Sequence, residues 1–272
     1  MPSRPRLSMD AMTVDISSIL KDWPYEPGQL TARKIQGLDG REKIQLRLDL
    51  GLLQMELTGR PDGARPHGLE SLLDHYEQQC DLHRQQHGAA DGFRLDREAC
   101  ELLRAEGMLY YHRYVAEFVL EDFPAVERDT TRNLRLLDFC TAHAADASDR
   151  ASLEMHRPYI LMMRTRGRCQ AHLSAGRSQE ALAVVQRGTR EIKDYYAAAG
   201  LEQAAAQSTE LAILAELTEE VQSHMPVDPL VKLKQDLAKA VAEERYEEAA
   251  AIRDRIRRVS TDKPRPPGPP KA

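Results

Sequence analysis

The 272-residue chain is 42% hydrophobic, 30% charged and 5% aromatic, with a net charge of −5. That composition describes an ordered, helix-rich protein with room for one large or two modest domains, and the low aromatic share argues against a large β-sandwich. The mildly acidic balance gives the whole chain no electrostatic reason to seek a polyanion. Residues 1–30 read as an N-terminal extension. Residues 1–14 are short on periodicity and are expected to be frayed, and Ile16 to Trp23 reads as a short amphipathic helix ended by Trp23-Pro24-Tyr25-Glu26-Pro27-Gly28.

Residues 31–67 read as a small β element. Ile44, Leu46, Leu48 and Leu50 alternate with Gln45, Arg47 and Asp49, and after Gly51 the alternation resumes in shifted phase at Leu53, Met55 and Leu57. A period of two marks a half-buried strand, and the phase shift predicts a bulge or bend at Gly51. Asp39-Gly40 and Pro61-Asp62-Gly63 are turn signals, and Arg33-Lys34-Ile35 supplies a partner strand. Because leucine also favours helices, a buried helix is the alternative for this run. As a sheet, its polar side would carry Lys43, Gln45, Arg47 and Asp49 near Arg41, Arg60 and Asp62. Such charges either cradle an anionic ligand or form the wet face of a sheet with cross-strand ion pairs.

From residue 68 to 224 the pattern is helical. Leu69, Leu72, Leu73, Tyr76, Cys80, His83 and His87 share one face, and further helices are expected at 95–121, 124–144, 150–175, 178–199 and 201–224. Cys80, His83 and His87 are the metal-ligand candidates by spacing, but they extend an apolar stripe and lack a fourth ligand, so no metal site is assigned. Connections such as Ala175-Gly176-Arg177-Ser178 are short enough to require antiparallel neighbours, and that turn weakly resembles the inter-helix turn of tetratricopeptide repeats. Gly167 and Gly188 inside helical runs suggest close helix crossings or local breaks.

Residues 228–260 carry the most specific pattern. Asp228-Pro229 is a helix start, after which Leu230, Leu233, Leu237, Ala240 and Val241 line one face. Glu243-Glu244-Arg245 interrupts the stripe, and Tyr246, Ala249, Ala250, Ile252, Ile256 and Val259 resume it, so two helices fold back on each other. A hairpin of about thirty residues has too few apolar side chains to offset its ordering entropy and is expected to need a neighbour, whether the rest of the chain, a second copy or another protein. Residues 261–272 form a proline-rich tail, expected to be extended or disordered, as a spacer in preference to a ligand for an aromatic groove.

The run Leu237-Ala238-Lys239-Ala240-Val241, then Glu244-Arg245-Tyr246-Glu247-Glu248-Ala249-Ala250-Ala251-Ile252-Arg253-Asp254-Arg255-Ile256, resembles the UVR motif. This helical hairpin is shared by the UvrB and UvrC subunits of the bacterial excision nuclease, and occurs in some Clp-type ATPases and in activators of protein arginine kinase. Arg245 departs from the acidic residue often found before the aromatic. The resemblance implies docking to another protein through Leu230, Leu233, Leu237, Val241, Tyr246, Ala249, Ala250, Ile252 and Ile256, with Arg253 and Asp254 orienting the contact. The partner would be a UVR-containing protein, a Clp-type ATPase or a second copy. Arg253, Arg255, Arg257 and Arg258 suit the negative end of a helix, which is preferred over a nucleic-acid patch.

The fold expected is therefore mainly α: antiparallel helical hairpins in a tetratricopeptide-like stack, a small N-terminal β element and a C-terminal UVR hairpin. No phosphate loop, nucleophile elbow, zinc-protease helix or dinucleotide fingerprint occurs, so the expectation is a non-enzymatic adaptor without a cofactor. The alternatives are an accessory factor in excision repair with weak DNA contact, and a ligand sensor using residues 39–67. Cys80, Cys100, Cys140 and Cys169 form no Cys-x-x-Cys pair, no run of eighteen apolar residues occurs, and Arg4 and Arg6 precede no apolar leader. A cytoplasmic protein is expected.

Overall fold

The computed structural model describes residues 16–223, 225 and 229–261, and side chains within α10 and α11 at 229–232, 235 and 258–261 are outside the description. The expected frayed start at 1–14, the Asp228 cap and the proline-rich tail fall outside the described residues. The chain divides into two compact units, residues 1–221 and 222–272.

The first unit begins with α1 (Ser17–Lys21) and a three-stranded antiparallel sheet, β1 (Ala32–Gln36), β2 (Glu42–Arg47) and β3 (Leu52–Glu56), in the order β1-β2-β3. Ile44 pairs with Met55 and Leu46 with Leu53, as period-two side chains on one face require. The helices follow as α2 (Leu72–His87), α3 (Arg97–Val119), α4 (Phe123–His143), α5 (Ala147–Glu154), α6 (Arg157–Ser174), α7 (Ser178–Ala198), α8 (Glu202–Ala206) and α9 (Thr209–Ser223). The second unit holds α10 (Pro229–Ala242) and α11 (Tyr246–Thr261). The molecule is mainly helical with a small N-terminal sheet, and the buried-helix alternative for residues 44–57 is excluded.

Several local expectations need correction. The phase shift at Gly51 is not a bulge. Leu48 and Gly51 exchange backbone hydrogen bonds of 2.9 and 3.3 Å, which closes a two-residue hairpin turn at Asp49-Leu50 and leaves Leu50 exposed. The single helix expected at 150–175 is two, because Pro158 has no N–H to continue a helix and sits instead in the first turn of α6. Likewise 201–224 divides into α8 and α9, and Ser208 between them accepts from the Leu211 N–H at 3.3 Å as a cap.

The polar side of the sheet is also not a wet face. Gln45 and Arg47 are buried. Gln45 accepts from Arg33 Nε at 2.9 Å and donates to Gln54 at 3.0 Å, while Arg33 stacks 4.2 Å over the Trp23 ring. Arg47 donates to the carbonyls of Trp23 and Gly51, both at 2.8 Å, and to that of Leu48. The connection after α1 therefore lies over this side, and Arg47 ties it to the hairpin turn.

The other side, with Ile44, Leu46 and Met55, packs on Ala116 and Leu120 at the end of α3. Arg113 of α3 strengthens that junction by donating to the carbonyls of Glu56 and Gly59 at 2.9 and 2.8 Å, and it holds Asp129 of α4 through two bonds of 2.6 and 2.9 Å. Buried Glu106 accepts from the Leu72 and Leu73 N–H groups at 2.7 and 3.2 Å, capping α2 from the neighbouring helix. Two glycines mark close crossings. A Cβ on Gly167 would lie 3.0 Å from Val126, and one on Gly188 would overlap Thr165.

Candidate functional site

The second unit is built from two amphipathic stripes. Leu233, Leu237 and Ala240 recur at intervals of four and three on α10, and Ala249, Ile252 and Ile256 at three and four on α11. These residues meet as a single seam in which Ala240, Ala249 and Ile252 are buried and the other three are partly buried. The alanines matter because a methyl group lets two helix backbones approach closely.

The turn between the helices is a left-handed cap. Glu244 has φ 57°, and the Arg245 N–H bonds to the Ala240 carbonyl at 2.8 Å while the Glu244 N–H reaches Val241 at 3.1 Å. These bonds satisfy carbonyls that the end of α10 would otherwise leave unpaired. Arg245 closes the turn by pairing with Glu243 at 2.5 Å and with Glu248 in the first turn of α11. Arg245 is thus engaged within the hairpin itself.

The residues grouped by sequence as one docking face separate into two sets. Leu233, Leu237, Ala249, Ile252 and Ile256 form the internal seam, so they hold the hairpin together. Val241 and Tyr246 are 50% and 67% exposed, and Ala250, Arg253 and Asp254 are exposed as well. Tyr246, Ala250 and Arg253 are spaced i, i+4, i+7 and so share one exposed stripe of α11 that runs alongside the seam. Leu230 lies on α10, with its side chain outside the description. Ala240, absent from the sequence-based docking set, is the most deeply buried of the described side chains of the hairpin. Its place at i+7 from Leu233 was the signal for it.

The charged residues of the β element do not converge. Arg41 pairs with Asp39 at 2.8 Å, and Lys43 pairs with Asp39 at 3.0 Å and with Glu56. Lys43 and then Arg41 hold Asp39 well below the usual carboxylate range, and Glu56 and Asp39 raise Lys43. Arg47 is enclosed by carbonyls at the opposite end of β2, with Asp49 in the adjoining turn. Arg60 bridges Asp62 at 3.0 Å and buried Glu106 at 3.2 Å. Each cation is therefore matched inside the fold.

The Cys80, His83 and His87 stripe is also dispersed. Cys80 is buried with its sulfur 3.6 Å from His143 Nε2, whereas His83 and His87 stack on each other at 4.2 Å. Among the described residues no three His, Cys, Asp or Glu side chains are placed to hold a metal ion, and no helix is long and apolar enough to cross a membrane.

No curated protein and no solved structure matches the chain. Residues 229–262 match the family model described as the UvrB/uvrC motif. The paired helices α10 and α11, closed by an alanine-rich seam, are a UVR motif.

Proposed function

We propose that the chain is a non-enzymatic adaptor that docks a protein partner through its C-terminal UVR hairpin. The observation carrying this reading is the exposure of Val241 and Tyr246 on a hairpin whose own apolar seam is already closed by other residues. Tyrosine suits a docking surface because it buries a large ring while its hydroxyl finds a partner at the rim. Arg253 in the tyrosine stripe and Asp254 beside it would set the register of the contact. UVR motifs generally mediate protein–protein contacts; the partner class proposed here is another UVR-containing protein, a Clp-type ATPase or a second copy of this chain. A cytoplasmic setting accords with the buried, free thiols of Cys80, Cys100, Cys140 and Cys169.

The test compares the full chain with a Val241→Asp/Tyr246→Asp double variant, which leaves the seam intact. Each partner class is supplied as purified protein, and self-association is followed by sedimentation. Binding by the wild type and loss of at least about tenfold in the variant are expected, since each apolar side chain buried is worth roughly 1.5–3 kcal/mol. Equal binding by both proteins would remove the hairpin from the explanation.

Exposed Arg253 and Arg255 on the last helix favour a second reading, an excision-repair accessory that touches DNA. Affinity for duplex DNA falling steeply with salt would be its signature, and absence of binding at low salt would dispose of it.

A further inference from the structure

The helical scaffold forms a pocket of about 400 Å³, open to solvent on one side and bounded by α3, α4, α5, α6 and α9. Its size falls in the range of small-molecule sites, and so does its character, mostly apolar with few polar groups. Tyr111 is the centre of an aromatic cluster there, edge-on to Tyr114 at 5.6 Å and tilted against Tyr159 at 5.8 Å. Met108 and Met155, both substantially exposed, complete the lining beside these rings. Thioethers and tyrosine rings together make an adaptable surface for a flat, polarizable ring.

Gly107 argues that the space is kept open. It lies in the interior of α3 with ordinary helical backbone, where glycine weakens a helix. Unlike Gly167 and Gly188, it is not required by packing, because a Cβ would find its nearest neighbours at 3.9 Å on Leu136 and 4.0 Å on Asn133. What a longer side chain at this position would occupy is the cavity that Gly107 lines.

Arg104 in the lining has donor capacity left. Arg104 precedes Gly107 by one turn of α3 and donates to Ser152 at 2.8 Å, with Asp149 at 4.0 Å, yet its Nε is buried without an acceptor. Asn133, by contrast, is engaged by Arg132 at 3.2 Å and by the Gly107 carbonyl at 3.0 Å. Glu210 accepts from Ser208 at 2.8 Å and contributes the cavity's acidic group. We propose that this cavity binds a small aromatic carboxylate, with its ring among Tyr111, Tyr114, Tyr159 and the two methionines and its carboxylate on Arg104.

Calorimetric titration of the intact protein with 2-naphthoate, 2-naphthamide and decanoate tests the assignment. Wild type is expected to prefer 2-naphthoate. Gly107→Met, which fills the space while improving helix propensity, should bind it at least about tenfold more weakly without a lower melting midpoint. Gly107→Ala should melt higher and retain binding. Arg104→Met should lose about tenfold in affinity for 2-naphthoate and leave 2-naphthamide unchanged, because a hydrogen bond to a charged group is at stake. That variant decides the question even if Gly107→Met fails to fold. No binding of 2-naphthoate at about 1 mM, equal binding by wild type and Gly107→Met, or a preference for decanoate would overturn the proposal.

Discussion

Arg113 offers the sharpest test of how the sheet is fastened to the helices. Its side chain is 1% exposed, and its guanidinium satisfies both oxygens of buried Asp129 as well as the carbonyls of Glu56 and Gly59. Arg113→Met keeps most of the apolar stem but removes every one of those donors. Asp129 is then left in the interior with the Arg128 Nε bond of 2.8 Å. Leaving one member of a buried ion pair uncompensated typically costs about 3–5 kcal/mol, and that loss is expected here. Adding Asp129→Leu removes the stranded carboxylate, while Arg128, 43% exposed, can turn to water. The double variant should therefore recover at least about 1 kcal/mol relative to the single one. Urea unfolding provides the assay, with the single tryptophan, Trp23, reporting on the sheet region and far-ultraviolet circular dichroism on the helices. A loss below about 1 kcal/mol for Arg113→Met, or a double variant no more stable than the single, would refute this account of the junction.

Glu117, buried between α3 and α4, predicts a pH dependence. Burial first and the neighbouring Asp129 carboxylate second push its pKa up to about 8, against the opposing pull of Arg128 and Arg113. Because the folded state holds this proton more tightly than the unfolded chain does, the contribution is complete below the ordinary carboxylate range and is lost as pH rises through about 8. Wild type minus Glu117→Gln should thus show a melting midpoint falling between weakly acidic and weakly alkaline pH, and a flat or rising difference would contradict it. At the hairpin turn, Glu244 occupies the left-handed region at φ 57°. Glu244→Gly relieves that strain, offset in part by glycine's greater unfolded-state freedom, and should stabilise the turn by up to about 1 kcal/mol. Hydrogen exchange of α10 and α11 amides in the full chain should slow, and faster exchange would show that the glutamate conformation is not strained.

The sequence alone was enough to determine the helical character of the scaffold and the terminal hairpin, and it favoured strands around Ile44 and Met55 over a buried helix. Those features rest on local periodicity, which a one-dimensional pattern records directly. The break before Pro158 was also written locally, in a residue without an N–H. Tertiary structure decided which side chains share an environment. Gln45 and Arg47 alternate like solvent-facing strand residues, but the Trp23 connection lies over them. Val241 and Ala240 are adjacent in sequence, yet a turn of about 100° per residue sends one outward and the other into the seam. The cavity combines Arg104 and Tyr111 with Tyr159 and Glu210 from distant helices, so it has no linear motif. Local backbone preference and hydrophobic spacing are properties of neighbours along the chain, whereas burial, ion pairing and pockets arise only when segments far apart in sequence come together.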